Sequence, residues 1–304
     1  MKLGVVIVTY NRKDLLKECI EACLNQTYKF SDIIVINNNS TDGTKEYLNT
    51  LKDSNILIKN LTNNIGGAGG FYEGVKIASN MDLDYLLLID DDAIIENNFN
   101  EEIVNNLKDN ILAYSGTVKT NDKIQYDHRK YLLENFKSID SKVEDYVKEY
   151  FDYELSSFCG LYISVKLIKK IGLPKKEFFI WFDDTEYSLR IHENTKIRNI
   201  NTAVLNHKTK DFKDNGYTWK SYYGLRNQIY IFKNYFSKKF YFKYLINLKF
   251  MQIALKIMRF IKKDDYYSKI SNMYKDALKD GINNNFGKNE KYIPGIKFEK
   301  RVRK

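Results

Sequence analysis

"YLLLIDDDAIIE", residues 85–96, decides the fold. Leu86 to Ile89 are apolar without a polar alternation, so they read as a strand buried on both faces. The run then ends in Asp90, Asp91 and Asp92. Three adjacent carboxylates repel one another at neutral pH. Water, a basic neighbour or a metal ion has to compensate them.

Upstream of this strand, Lys2–Val8, Ile33–Ile36 and Ile56–Leu61 read as strands. Lys13–Asn25, Thr41–Leu51 and Phe71–Ser79 carry the helical period. The resulting βαβαβαβ order implies a mostly parallel sheet covered by helices on both faces, an α/β fold. Ligands bind such sheets beyond the carboxyl ends of the strands. The four strands end in "TYNR", "NNNSTDGT", "TNNIGGAGG" and "DDD", all polar or glycine-rich.

Downstream, Leu112–Val118 reads as a strand, and residues 119–150 show no assignable pattern. "SSFCGLYISVKLIKKIG" reads as a strand and a short helix. In "FFIWFDDTEYSLRIHEN" Asp183 and Asp184 are placed to cap a helix running to about His192. "IRNINTAVLNHKTK" predicts a strand ending at His207. A hinge near Asp211–Gly216 precedes a helical, aromatic region, so the expected division is 1–217 and 218–304.

Composition narrows the class. A chain of 304 residues with 43% hydrophobic and 14% aromatic side chains buries a sizeable core and is not disordered. Cys19 and Cys23 sit at helical spacing in an apolar stripe, and with Cys159 they make an odd number, so core packing is expected rather than a disulfide framework. The N-terminal apolar run is too short for a signal peptide, and no stretch reaches the roughly 18 uncharged apolar residues of a spanning helix. A cytoplasmic location is expected, free or peripheral at the cytosolic face of a membrane.

Charge is unevenly placed. Residues 218–304 hold 21 Lys+Arg against 6 Asp+Glu, a net of +15, which leaves −5 for residues 1–217 of a chain at +10 overall. The two parts therefore call for different partners. Residues 218–263 hold 11 basic residues and no acidic one.

Three constellations carry chemistry. Asp90, Asp91 and Asp92 at a strand end suit a hard divalent cation held by one or two carboxylates, with water or substrate phosphates completing it. Gly66, Gly67, Gly69 and Gly70 just before a helix suit close approach of backbone to a ligand, and no P-loop lysine follows. Trp181 and Phe182 precede Asp183 and Asp184, and a carboxylate among aromatics loses hydration, so its pKa rises toward that of a general base.

"VVIVTYNRKDLLKECIEACLNQTY", "VINNNSTDGTKEYL", "NNIGGAGGFYEG" and "LLLIDDDA" stand in the order seen in family 2 glycosyltransferases with the GT-A fold. "NIGGAGGF", "WFDDTEYSLRI", a downstream His and "YYGLRNQIY" look most like the galactofuranosyltransferase and rhamnosyltransferase branch. The resemblance covers roughly residues 1–230. It implies an inverting transferase acting on a nucleotide-diphosphate sugar, UDP-galactofuranose first and dTDP-rhamnose second, with Mn²⁺ or Mg²⁺.

Carried over residue by residue, the resemblance gives Asp92, Asp90 and His207 to the metal, Asp184 to the general base and Asp183 to capping and acceptor positioning. It gives Thr9, Tyr10, Asn11, Arg12, Asn38, Gly66, Gly67, Asp90 and Asp91 to the nucleotide-sugar donor. Relatives carry an Asp where this chain has Asn37–Asn39, and an Asn carbonyl accepts the same hydrogen bond from a base. Ser40, Thr41 and Asp42 are read as helix-capping residues.

The basic, aromatic stretch 218–263 suits an anionic membrane surface. Other readings are an appendage or homo-oligomer contact and, third, a nucleic-acid surface. Nucleic acid is not the expected partner, because it would not require the acidic first part. The expected acceptor is a glycan or lipid-linked glycan hydroxyl in bacterial surface polysaccharide synthesis. The rival from another class is a nucleotide-sugar-binding scaffold without catalysis.

Overall fold

In the computed structural model Leu87 and Ile89 enter one hydrophobic core while Leu86 and Leu88 enter another. A strand's period of two sends alternate side chains to opposite faces, so a strand apolar at every position needs a cover on each side. The structure describes residues 1–133, 137–208, 216–296 and 298. They group into two units, one within Met1–Lys176 and Asp184–Asp211, the other within Glu177–Asp183 and Phe212–Lys304. The hinge expected near 211–216 lies, but for Gly216, outside the described residues.

The first unit opens with β1 (Leu3–Thr9), α1 (Lys13–Leu24), β2 (Asp32–Asn37), α2 (Thr44–Leu48), β3 (Ile56–Asn60), α3 (Gly66–Ala78) and β4 (Tyr85–Asp90). Strands β4, β1, β2 and β3 lie side by side in parallel. Then come β5 (Ala93–Ile95), α4 (Phe99–Asn105), β6 (Ala113–Thr120), β7 (Lys123–Ile124), β8 (Arg129–Leu132), β9 (Ser138–Asp140) and β10 (Tyr150–Tyr153). Last are β11 (Leu155–Ser156), β12 (Leu161–Ser164), α5 (Val165–Ile171), α6 (Asp183–His192) and β13 (Ile197–His207). The main sheet runs β10-β13-β6-β12-β4-β1-β2-β3, and β11, β8 and β9 form a small second sheet. Strand β12 is antiparallel to both β4 and β6, so the sheet is parallel on one side and mixed on the other. Cys19, Cys23 and Cys159 are buried and unpaired, and all three belong to one core.

Several segments differ from the sequence expectation: α2 spans only Thr44–Leu48 of the expected 41–51, and α4 carried no expectation. Helix α3 starts at Gly66, five residues before Phe71, because its glycines serve packing: a Cβ on Gly70 would stand 2.4 Å from Val8 and one on Gly74 would stand 2.3 Å from Val6. Glycine is a poor helix former, yet here it lets the helix lie close on β1. The unreadable stretch 119–150 holds β7, β8 and β9, short strands fixed by distant polar contacts. Fully buried Arg129 donates to the carbonyls of Gly116 at 2.8 Å and Cys159 at 2.9 Å, and to Asn199 Oδ1.

The second unit holds α7 (Trp219–Tyr235), α8 (Lys238–Lys262) and α9 (Asp265–Ile282) around a core that includes Tyr222, Tyr223, Ile229, Leu248, Leu255 and Ile270. Segment Glu177–Asp183 belongs with them. Among the described residues no helix is long and apolar enough to cross a membrane.

Candidate active site

Strands β1 and β4 end side by side, with Val8 opposite Asp90. Antiparallel pairing of β5 with β13 sets His207 opposite Ala93, and Lys208 N donates to Asp92 O at 2.8 Å. Thr9, Arg12, the three aspartates and His207 therefore meet at one strand-end edge. Thr9 Oγ1 donates to Asp91 Oδ2 at 2.7 Å. Arg12 Nη1 donates to Asp91 Oδ1 at 3.1 Å and to Asp92 Oδ2 at 2.5 Å. The basic neighbour is thus Arg12, which the sequence reading had given to nucleotide or phosphate.

Burial and charge separate the three carboxyls. Asp91 and Asp92 are each 3% exposed, so the charged forms lose hydration. Burial, reinforced by Asp92, pushes Asp90 up to about 7. Burial also raises Asp91 to about 6, against the pull of Arg12 and of the Thr9 hydroxyl. Asp92 goes the other way: burial opposes its charge, but His207 and Arg12 outweigh it and hold the carboxyl below the usual range. His207 is raised in turn, because Asp92 and Asp90 more than offset its own burial.

The donor set fits a divalent cation shared with a substrate. Asp92 Oδ1 is buried and makes no aligned hydrogen bond, and His207 Nε2 stands 3.3 Å from it. A buried carboxylate oxygen facing an imidazole nitrogen could serve as a donor pair for such a cation, which diphosphate and water would complete. Among the described residues no group of three or more His, Cys, Asp or Glu side chains is placed to hold a metal ion, so the expected set of Asp92, Asp90 and His207 is not assembled as a three-residue site. Asp90, half-buried at the last position of β4, lies two residues before Asp92 in the chain.

His128 was not singled out from the sequence. Its ring stands edge-on to His207 with centroids 5.1 Å apart, and its Nδ1 lies 2.7 Å from Ser157 Oγ. Burial, then the charge of Arg129, holds it well below the usual histidine range, so a neutral ring backs His207. A lone His in a stretch without periodicity carries no sequence signal for this contact.

The neighbouring loops are tied to one another. Asn11, at φ 54°, accepts from Thr41 N at 2.7 Å, and Asn11 N donates to Ser40 Oγ. Asn38 Oδ1 accepts from Ile65 N and its Nδ2 donates to Gly66 O, both at 2.9 Å. The side chain expected to meet a nucleobase thus staples the second loop to the glycine loop. Asp42 accepts from Thr44 N at the start of α2 and from Lys13 N in α1. The N-cap of α2 is Gly43 without a side-chain cap bond, and Ser40 and Thr41 bond to Asn11, so the expected capping by these three residues is replaced by ties between loops. Gly66 has φ 79° and its N–H is taken by Asn64 Oδ1 at 2.8 Å, while a Cβ on Gly67 would meet nothing within 4 Å, so the first turn of α3 leaves open space at Gly67. Tyr10 is 37% exposed at the same edge.

Helix α6 runs to His192, and Asp183 is its first residue rather than a residue before it. Asp184 Oδ1 accepts from Thr185 N at 2.6 Å and from Thr185 Oγ1 at 3.2 Å. Burial outweighs these bonds and Lys130, so the Asp184 carboxyl is raised. Within the second unit the segment leading to Asp183 is strained, with Phe179, Trp181 and Phe182 at φ 65–68°. Bulky side chains avoid that region, so the surroundings must hold it. Asn227 Nδ2 donates to the carbonyls of Phe178, Ile180 and Trp181, and Arg226 Nη2 to Phe178 O at 2.9 Å. The "GLRNQ" run is therefore a clamp on this backbone.

Comparisons with known proteins bear on the family and the fold. The chain is 36% identical over 100 residues to the poly(ribitol-phosphate) beta-glucosyltransferase of Bacillus spizizenii, over 31% of this chain and 15% of that one. It is 36% identical over 92 residues to the UDP-Glc:alpha-D-GlcNAc-diphosphoundecaprenol beta-1,3-glucosyltransferase WfaP of Escherichia coli, over 30% of this chain and 35% of that one. The matched stretches thus span about a third or less of these relatives.

Crystal structures of GalNAc-T7 with UDP, GalNAc and Mn²⁺ (TM-score 0.65, 14% identity, 93% of this chain and 56% of that) share the fold. So does S. aureus TarS 1–349 with UDP-GlcNAc (TM-score 0.58, 15% identity, 93% and 81%). The fold is the GT-A α/β fold with a helical C-terminal region. The model of glycosyl transferase family 2 matches residues 4–172, more than half of the chain, and the chain belongs to that family.

Proposed function

We propose that this chain is an inverting glycosyltransferase that moves a sugar from a nucleotide-diphosphate donor to a hydroxyl of a glycan or lipid-linked glycan in surface polysaccharide synthesis. One observation carries the reading: Asp92, whose buried Oδ1 faces His207 Nε2 at 3.3 Å, sits at the strand-end edge where the open space at Gly67 of α3 also lies. Helix N-termini favour phosphates, and a carboxylate–imidazole pair favours a cation that phosphates can share.

In this reading Thr9 and Arg12 hold Asp91 and Asp92 in place, and the loop Thr9–Arg12 with Asn38, Gly66 and Gly67 lines the donor. A divalent cation, Mn²⁺ or Mg²⁺, held by Asp92 and His207 with Asp90 beside them, would offset charge gathering on the leaving diphosphate. Asp184 takes the proton of the acceptor hydroxyl as that oxygen attacks the anomeric carbon. The diphosphate leaves on the opposite side, and configuration inverts. Asp183 orients the acceptor.

UDP-galactofuranose is the favoured donor from the "NIGGAGGF" and "WFDDTEYSLRI" runs, with dTDP-rhamnose second. The relatives' names add UDP-glucose, and the TarS complex adds UDP-GlcNAc. Uridine is the base in most of these. We place the enzyme at the cytosolic face of a membrane, since residues 218–263 hold 11 basic residues and no acidic one.

Calorimetric titration of UDP, dTDP, GDP and CMP with and without Mn²⁺, on wild type and Asp92→Ala, tests the site. Metal-dependent binding of one nucleotide, lost in the variant, is expected. Unchanged binding in Asp92→Ala would remove Asp92 from the site. Turnover of the matching sugar donors then separates an enzyme from a binding scaffold.

A further inference from the structure

Helix α8 has two apolar faces. One packs Tyr244, Leu245, Leu248 and Leu255 into the core of the second unit. The other carries Phe242, Ile246, Phe250, Ile253, Ile257 and Phe260, separated by steps of three or four residues and each 46–70% exposed. At 3.6 residues per turn these six form one line along the helix. Single exposed apolar side chains are ordinary, but a continuous line of this length marks a covered surface. Helix α7, of similar basic and aromatic composition, buries Tyr222, Tyr223, Ile229 and Ile231, so exposure of this kind is particular to α8.

Charge identifies the cover. Helix α8 carries seven Lys and Arg and no acidic residue. Beside the line, an open groove of about 420 Å³ between α8 and α9 is rimmed by Lys249, Lys275 and Lys279 over Leu245 and Leu278. Ile246 belongs to both groove and line, so the two share a side of the helix. We propose that α8 lies in the plane of an anionic lipid bilayer, with Phe242 to Phe260 sunk at the boundary of the acyl region and the α8–α9 groove holding a lipid phosphate.

The alternatives are weaker on the same observations. A second copy packed through this face would set like charges against each other. Nucleic acid would call for stacking aromatics along the face, whereas half of this line, Ile246, Ile253 and Ile257, is aliphatic and cannot stack bases. An in-plane amphipathic helix uses both features, since apolar burial and cationic attraction add. The proposal rests on the membrane-side reading given above and not on the donor chemistry.

The full chain, without nucleotide, is tested by flotation with vesicles of phosphatidylcholine alone or mixed with phosphatidylglycerol, with UDP affinity measured in parallel. Binding is expected to be at least about tenfold stronger with phosphatidylglycerol. It should be lost in Ile246→Ser/Phe250→Ser with circular dichroism unchanged, and weakened in Lys275→Ala/Lys279→Ala. Equal binding to both vesicles, or none by a folded chain, overturns the proposal. So does self-association in solution that the Ser double variant abolishes while vesicles go unbound, since a second copy would then cover the face. Retained UDP binding in any of these cases confines the failure to the membrane surface, and lost UDP binding alone confines it to the transferase site.

Discussion

Asp92 and Asp184 are carboxylates of the same unit, and they differ in what faces them. Asp92 meets Arg12 Nη1 and stands 3.3 Å from His207 Nε2, and these two groups hold it below the usual range in spite of burial. Asp184 meets the amide and hydroxyl of Thr185, with Lys130 adding a weaker pull, and burial wins. A carboxylate with fixed cations stays charged and suits a cation or diphosphate. One with mainly neutral donors gains proton affinity and suits proton abstraction. Environment, rather than residue type, assigns the two roles.

The largest effect expected from breaking this contrast is at Asp184. Asp184→Asn should lower kcat about 10²–10⁴-fold while UDP affinity stays constant. In wild type the base must be unprotonated, so kcat/KM should fall as pH drops through a value above the ordinary carboxylate range. A limb at the ordinary carboxylate value would remove the contrast. The same raised pKa has a stability sign: its contribution is complete below the unfolded value of 3.8 and is lost as pH rises through the folded value. Urea midpoints should therefore show Asp184→Asn gaining on wild type as pH rises above the unfolded value of 3.8.

A smaller effect is expected at the other pole. Arg12→Ala leaves two nearly buried carboxylates with less compensation. Because the guanidinium is itself 47% exposed, water screens the pair, and the cost should be about 1–2 kcal/mol in urea unfolding at neutral pH. No loss would mean that Arg12 is not the compensating charge. The smallest change is at Lys130, which also pairs with Asp140 at 2.6 Å. Lys130→Ala should move the acid limb of kcat/KM upward, because the lost charge no longer favours the ionised form of Asp184. A downward shift would mean that the charge of Lys130 does not favour the ionised form of Asp184.

Much of the frame was legible in the sequence. The alternation of β1 to β4 with α1 to α3, the polar strand-end edge, the end of α6 at His192 and of β13 at His207 all follow from local periodicity. Residues 119–150 were illegible because short strands held by Arg129 leave no period to read. The start of α3 was misplaced because propensity counts glycine against a helix, while contact with Val6 and Val8 decides for it.

The sequence by itself determined that a buried strand delivers three aspartates to a ligand-binding edge, and that the two parts of the chain carry opposite charge. These follow from neighbours along the chain. Only the tertiary structure decided that Arg12 compensates Asp91 and Asp92, contacts spanning 79 and 80 residues, and that Asn38 staples two loops. It alone separated α7, whose aromatics are buried, from α8, whose apolar line faces outward. Composition cannot tell two basic, aromatic helices apart, because burial is set by what packs against each face.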